Sequence, residues 1–185
     1  MIALLLLDLQ CDFMQSSGRL PVGEKRAIAV IDCISRLLTA APDKGLHPIF
    51  ITNEFSPSDR VGNFFRNRSA IRGSAGAAID PRIMAAGRPI FTKEKSDAFS
   101  NPELVTYLGA HEMTHLVIAG VFAEGCVRAT AKEAVRRGYH VSVVSDGVES
   151  DKDWKKRFGL WSMRRSGARV LTSDEFFKKK AEVRS

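Results

Sequence analysis

Residues 116–130, Leu-Val-Ile-Ala-Gly-Val-Phe-Ala-Glu-Gly-Cys-Val-Arg-Ala-Thr, carry an apolar strand directly into a helix, with Cys126 at the junction. Strands that alternate with helical stretches build a parallel sheet covered on both faces. A thiol at such a junction lies among the unpaired N–H groups of the helix start, under the positive end of its dipole. Both features favour the thiolate, which is the nucleophilic form. A cysteine so placed attacks a carbonyl carbon when a proton acceptor and a cation stand nearby.

The same alternation runs through the whole chain. Residues 2–7 read as a buried first strand. A helix from Glu24 to Ala41 follows, with Ala27, Val30, Ile31, Ile34, Leu37 and Leu38 as its apolar stripe and Pro42, Asp43 and Gly45 as its stop. A second strand spans 48–52, and an irregular section rich in Gly, Ser, Arg and Asn runs from Asn53 to about Gly87. Further strands are expected at 89–92, 114–119, 141–145 and 168–172. Helices are expected at 102–108, 124–137 (closed by Gly138) and 151–165. The expected fold is one doubly wound, Rossmann-like α/β domain over residues 1–185, with a mostly parallel six-stranded sheet and helices on both faces. Ligands of such sheets bind beyond the carboxyl ends of the strands. Asp8 follows the first strand, Lys93 the third, and Cys126 lies just past the fourth. The topology therefore gathers an acid, an ammonium and a thiol at one edge.

With 185 residues and 44% hydrophobic content, the chain can bury one substantial core. No run approaches the ~20 apolar residues needed to cross a bilayer, and Asp8 interrupts the apolar start, so no membrane partner is expected. Three cysteines without paired spacing argue against a disulfide framework and for a reducing cytoplasm. The net charge of +7 raises the question of nucleic acid. Much of the excess falls in the helical stretch Lys152–Arg165 and in the tail Lys178–Lys180. Neither carries a nucleic-acid motif. They read as a solvated helix face and a basic, frayed tail from about residue 178, with no nucleic-acid partner.

Three blocks narrow the chemistry: Leu-Asp-Leu-Gln-Cys-Asp-Phe-Met (7–14), Thr-Lys-Glu-Lys-Ser-Asp-Ala-Phe (92–99) and Ala-Gly-Val-Phe-Ala-Glu-Gly-Cys-Val (119–127). Together they resemble the isochorismatase-like cysteine hydrolases, a family that includes nicotinamidases, carbamoylsarcosine amidohydrolase and ureidoacrylate amidohydrolases. The resemblance covers nearly the whole chain, including segments 72–81 and 138–147. It implies a catalytic triad at Asp8, Lys93 and Cys126. Lys95 competes for the second place; Lys93 is preferred because the family's lysine lies six residues before the Phe of its block, here Phe99. It also implies a cis peptide between Val121 and Phe122, aiming the Phe122 N–H, with that of Cys126, at a developing oxyanion. The implied reaction is hydrolysis of a small-molecule C–N bond through a thioester on Cys126. Asp8 would move the proton and Lys93 would stabilise the thiolate, without a cofactor. Members are commonly oligomers, which implies at least a homodimer here.

The chain departs from the nicotinamidase pattern after the second strand. Those enzymes hold a divalent metal with an Asp-x-His arrangement, where this chain has Glu54 and Ser56. One carboxylate without imidazoles is a poor transition-metal site, so no metal is expected. Retention of Cys126 points to C–N hydrolysis rather than cleavage of the isochorismate vinyl ether. Gln10 offers an amide to a substrate, and Phe13 and Phe122, with Trp161, offer an aromatic wall, although the two phenylalanines suit a core equally well. Arginines 60, 66, 68 and 72 could meet a substrate carboxylate. Asp12 and Cys33 read as structural, Cys11 stays open, and the histidines at 47, 111, 115 and 140 read as non-catalytic. Two other readings remain: a binding protein of the same fold with an inert cysteine, and a nicotinamidase despite the missing histidines.

Overall fold

The computed structural model describes residues 1–182, with side chains through residue 178. In chain order the elements are β1 (Ile2–Leu7), α1 (Cys11–Met14), α2 (Glu24–Lys44), β2 (Leu46–Asn53), α3 (Arg60–Phe65), β3 (Ile90–Lys93), α4 (Pro102–Ala110), β4 (His115–Val121), α5 (Arg128–Arg136), β5 (His140–Glu149), α6 (Asp153–Arg165), β6 (Arg169–Leu171) and α7 (Ser173–Glu182). The strands form one parallel sheet in the order β3-β2-β1-β4-β5-β6. Chain direction across the sheet reverses between β1 and β4, the switch point where such sheets open a ligand crevice.

β1 explains why the sheet is covered twice. Leu4 and Leu6 pack into a core with Val30, Ile34 and Leu37 of α2 and Phe176 of α7. Ala3, Leu5 and Leu7 face the opposite core, with Leu104 and Leu108 of α4, Ala131 and Ala134 of α5 and Met163 of α6. Leu4 to Leu7 have no exposed surface, and each such leucine contributes roughly 1.5–3 kcal/mol. At the switch point β4 passes very close to β1. Gly120 has φ +127°, and a Cβ there would collide with the Leu7 carbonyl.

The elements differ from the sequence expectation in several places, including β2, which runs to Asn53 rather than 52, and β5, which runs to Glu149 rather than 145. α2 runs through Pro42 to Lys44, because a proline in the last turn forfeits one helical bond; the true stop is Gly45, left-handed at φ 56°, whose N–H bonds to Ala41 O and Pro42 O. The expected helix at 124–137 begins only at Arg128, and residues 123–127 form a separate wide turn in which Gly125 leaves helical geometry (φ −102°, ψ −111°). Within the supposedly irregular 53–87 section, α3 forms behind Asp59, whose carboxylate accepts the Gly62 N–H. α7 follows the last strand, so residue 178 lies on a helix; the side chains of Lys179 and Lys180, part of the expected basic tail, lie outside the described residues.

Candidate active site

Three parallel strands end side by side, and each delivers one polar residue to the same point. Asp8 follows β1 in a left-handed conformation (φ 57°), uncommon for a residue other than glycine, and its N–H bonds to Ile51 O at 2.8 Å. Asn53 ends β2 in register with Lys93, the last residue of β3. Lys93 Nζ donates to Asp8 Oδ2 at 3.1 Å, and neither side chain has appreciable exposure. Asn53 Nδ2 donates to the same Oδ2 at 2.9 Å and lies 3.4 Å from Cys126 Sγ. The ammonium thus pairs with the acid directly, and the acid and the sulfur are bridged by an amide that the sequence does not single out. Lys95, the competing lysine, is exposed.

Cys126 sits on the wide turn. The Phe122 carbonyl accepts N–H bonds from Gly125 (3.0 Å) and Val127 (3.3 Å), and the Val121–Phe122 peptide is cis. Ala123 N donates to Ser150 Oγ at 3.1 Å, and Ser150 in turn donates to the Glu124 carboxylate. Gly159 of α6 lies against the Ala123 carbonyl with no room for a side chain. These contacts clamp the turn.

Electrostatics correct one expectation. Burial, and then the Asp8 charge, push the Cys126 thiol up to about 12, outweighing the Lys93 ammonium and the Asn53 hydrogen bond. The resting sulfur is therefore the protonated thiol, not the thiolate that the helix start suggested. Burial also raises Asp8 above the usual carboxylate value, although Lys93 opposes this. Burial would lower Lys93, but the facing Asp8 charge, with Cys126, raises it on balance, so the ammonium persists. The raised carboxyl is a stronger base than an ordinary carboxylate, and it faces the thiol whose proton it would take.

The expected substrate contacts fare differently. Gln10 is fully buried; its Nε2 donates to Asn53 O and Ala77 O, both at 2.7 Å, and its Oε1 accepts from Asn53 N at 2.8 Å. Both of its amide hydrogens are spent within the protein, so it holds Asn53 in place rather than reaching outward. Phe13 is a core residue, packed edge-on against Phe122 at 5.5 Å, while Phe122 is partly buried. Trp161 lies exposed on α6, its ring tilted at 32° to that of Phe158 with the centroids 6.1 Å apart. Among the loop arginines, Arg66 covers the Phe55 ring and pairs with Asp59, and Arg72 pairs with Glu54 (3.7 Å) and with Glu94. Asp12 ties loops together, accepting from Arg19 N and Ala70 N.

No cluster of three or more His, Cys, Asp or Glu side chains stands poised for a metal among the described residues. Glu54, at the place of the nicotinamidase aspartate, faces an arginine, and Ser56 bonds to Ser58. This donor set does not fit a transition metal.

Comparison with known proteins decides the family. The isochorismatase domain matches residues 2–175. The chain belongs to the isochorismatase family. Among curated relatives, a probable inactive nicotinamidase of Arabidopsis thaliana is 25% identical over 94% of this chain and 93% of its own length. The N-carbamoylsarcosine amidase of an Arthrobacter species is 29% identical over 68% of this chain, which spans about half (53%) of that longer enzyme. An isochorismatase-like hydrolase from Alkaliphilus metalliredigens shares the fold with a TM-score of 0.84 at 22% identity, covering 96% of this chain and 98% of that one. No helix among the described residues is long and apolar enough to cross a membrane.

Proposed function

We propose that this isochorismatase-family protein is a cysteine hydrolase that cleaves the C–N bond of a small amide, carbamoyl or ureido compound through a thioester on Cys126. The observation that carries this reading is Asp8 Oδ2, which accepts from Lys93 and, through Asn53, is linked to Sγ. A buried acid–ammonium pair costs desolvation and is weak evidence for stability alone, so its placement beside a thiol argues for chemistry.

In the first half-reaction Asp8 takes the thiol proton as sulfur bonds to the carbonyl carbon, and the carbonyl electron pair moves to oxygen. The N–H groups of Phe122 and Cys126, which flank the nucleophile turn, receive that oxyanion. The C–N bond breaks as Asp8 returns the proton to nitrogen, and a neutral amine leaves. Water then attacks the thioester, giving one proton to Asp8; the C–S bond breaks and sulfur recovers a proton. One water is consumed, and one amine and one acid are released. Lys93 stays charged throughout and stabilises the negative charge that passes between Asp8 and sulfur.

The name of the Arthrobacter relative supports the C–N class, whereas that of the Arabidopsis relative supports a protein without activity. The triad here, Asp8, Lys93 and Cys126, favours catalysis. A screen of nicotinamide, carbamoyl, ureido and hydroxamate compounds for ammonia or amine release tests the reading. Release by the native enzyme that vanishes in Cys126→Ala supports it, and release that survives Cys126→Ala overturns it.

A further inference from the structure

Asn53 has a donor side and an acceptor side, and only the donor side has work within the protein. Asp8 Oδ2 already accepts from the Lys93 ammonium and can face only another donor. The amide nitrogen must therefore point at it, which leaves Oδ1 as the amide's other edge, turned away from the Asp8 carboxylate. Gln10 locks the Asn53 backbone through both its N–H and its carbonyl. Asn53 is 3% exposed, yet Oδ1 has no hydrogen-bond partner among the described residues. Buried acceptors are rarely left unpaired, and a site built around one discriminates against ligands that bring no donor.

Its position relates that oxygen to the reaction. Nδ2 stands 3.4 Å from Sγ, and Oδ1 shares the same small amide plane. Oδ1 is bonded to the same carbon as Nδ2, so it lies at most one amide width farther from Sγ than Nδ2 does, and a leaving nitrogen on a carbonyl carbon bonded to that sulfur spans a gap of this size. We propose that Asn53 Oδ1 accepts an N–H of the scissile nitrogen, which makes Asn53 the residue that selects primary and monosubstituted amides, carbamoyl and ureido compounds over esters and N,N-dialkyl amides. This rests on the hydrolase reading above. As the C–N bond breaks, nitrogen takes up a proton and becomes a stronger donor, so the contact tightens toward the transition state. An ester or a dialkyl amide brings no N–H and leaves Oδ1 buried and unpaired.

The experiment compares four compounds sharing the acyl group that the screen turns over fastest: the primary amide, its N-methyl and N,N-dimethyl amides, and its methyl ester. Rates are normalised to each compound's alkaline hydrolysis. The native enzyme is expected to prefer the two N–H-bearing amides over the other pair by at least tenfold to a hundredfold. Asn53→Ala, which also removes the donor to Asp8, is expected to slow all four while cutting the amide-to-ester ratio of kcat/KM by a similar factor. Asn53→Ser, which keeps a smaller polar group, is expected to fall between the two. The native-enzyme comparison needs no variant to fold. A normalised native preference absent between the pairs, or a ratio unmoved in a folded Asn53→Ala, overturns this proposal and leaves the hydrolase reading standing. No turnover of any amide by the native enzyme overturns both.

Discussion

Replacing Asp8 by Asn separates the acidity of the thiol from its usefulness. The substitution keeps the shape of the side chain and removes its charge. Bonds of 2.9 and 3.4 Å through one amide nitrogen hold Asp8 Oδ2 within 6.3 Å (2.9 plus 3.4 Å) of Cys126 Sγ. At an effective dielectric of about 20, two unit charges at that separation repel by about 2.6 kcal/mol, or nearly two pK units. The thiol now pushed up to about 12 should then titrate at lower pH, with Lys93 free to pair with the thiolate. Hydrolysis should move the other way, falling about 10²–10⁴-fold, because no group remains to carry the proton to the leaving nitrogen. The assay is residue-resolved mass spectrometry of iodoacetamide labelling between pH 6 and 11, with buried Cys33, pushed up to about 11, as the internal reference. Asp8→Asn should label faster than native enzyme at Cys126 and hydrolyse more slowly. Labelling of Cys126 in Asp8→Asn that is slower than, or equal to, that of native enzyme at the same pH would refute the charge argument.

Three other expectations follow from the same geometry. The acid limb of kcat/KM should lie above the ordinary carboxylate value near 3.8, since Asp8 must be ionised to act and its pKa is raised; Lys93→Met, which removes the opposing charge, should move that limb to still higher pH. Gly120→Ala should lower stability by roughly 2–5 kcal/mol in urea or thermal melts, because φ +127° is strained for alanine and the methyl meets the Leu7 backbone one residue before Asp8; a change below 1 kcal/mol would show that the β1–β4 contact yields. Dialysis against a chelator should leave turnover unchanged, because Glu54 is committed to Arg72 and no imidazole accompanies it; activity lost on dialysis and restored by zinc, iron or manganese would contradict this.

The fold is legible because β1 and β4 are apolar runs: Asp8 marks the end of β1 without help from distant residues, whereas β4 runs through Gly120 to Val121, two residues beyond its expected end. Asp8, Lys93 and Cys126 were legible for the same reason: each lies at or just past a strand's carboxyl end. Asn53 obeys the same rule, but the apolar pattern ends β2 at Thr52 and places the asparagine in the following loop, whereas the strand includes it. Gln10 was misread because its burial depends on the carbonyls of Asn53 and Ala77, the latter 67 positions away in the chain. The ionisation of Cys126 was inverted because helix-start arguments ignore burial. α6 lies on the turn at Gly159, against the Ala123 carbonyl, a contact between segments that periodicity does not reveal. Pro42 was read as a barrier, although its last-turn position costs α2 little.

Rapid acid quench during turnover, followed by peptide mapping, tests the central claim most directly. An acyl group equal to the substrate less its amine should appear on Cys126, reach its maximum within the first turnover, and be absent from Cys126→Ala. Steady amine release with no adduct on Cys126 at any quench time, even with hydroxylamine present to trap the thioester as a hydroxamate, would contradict the account.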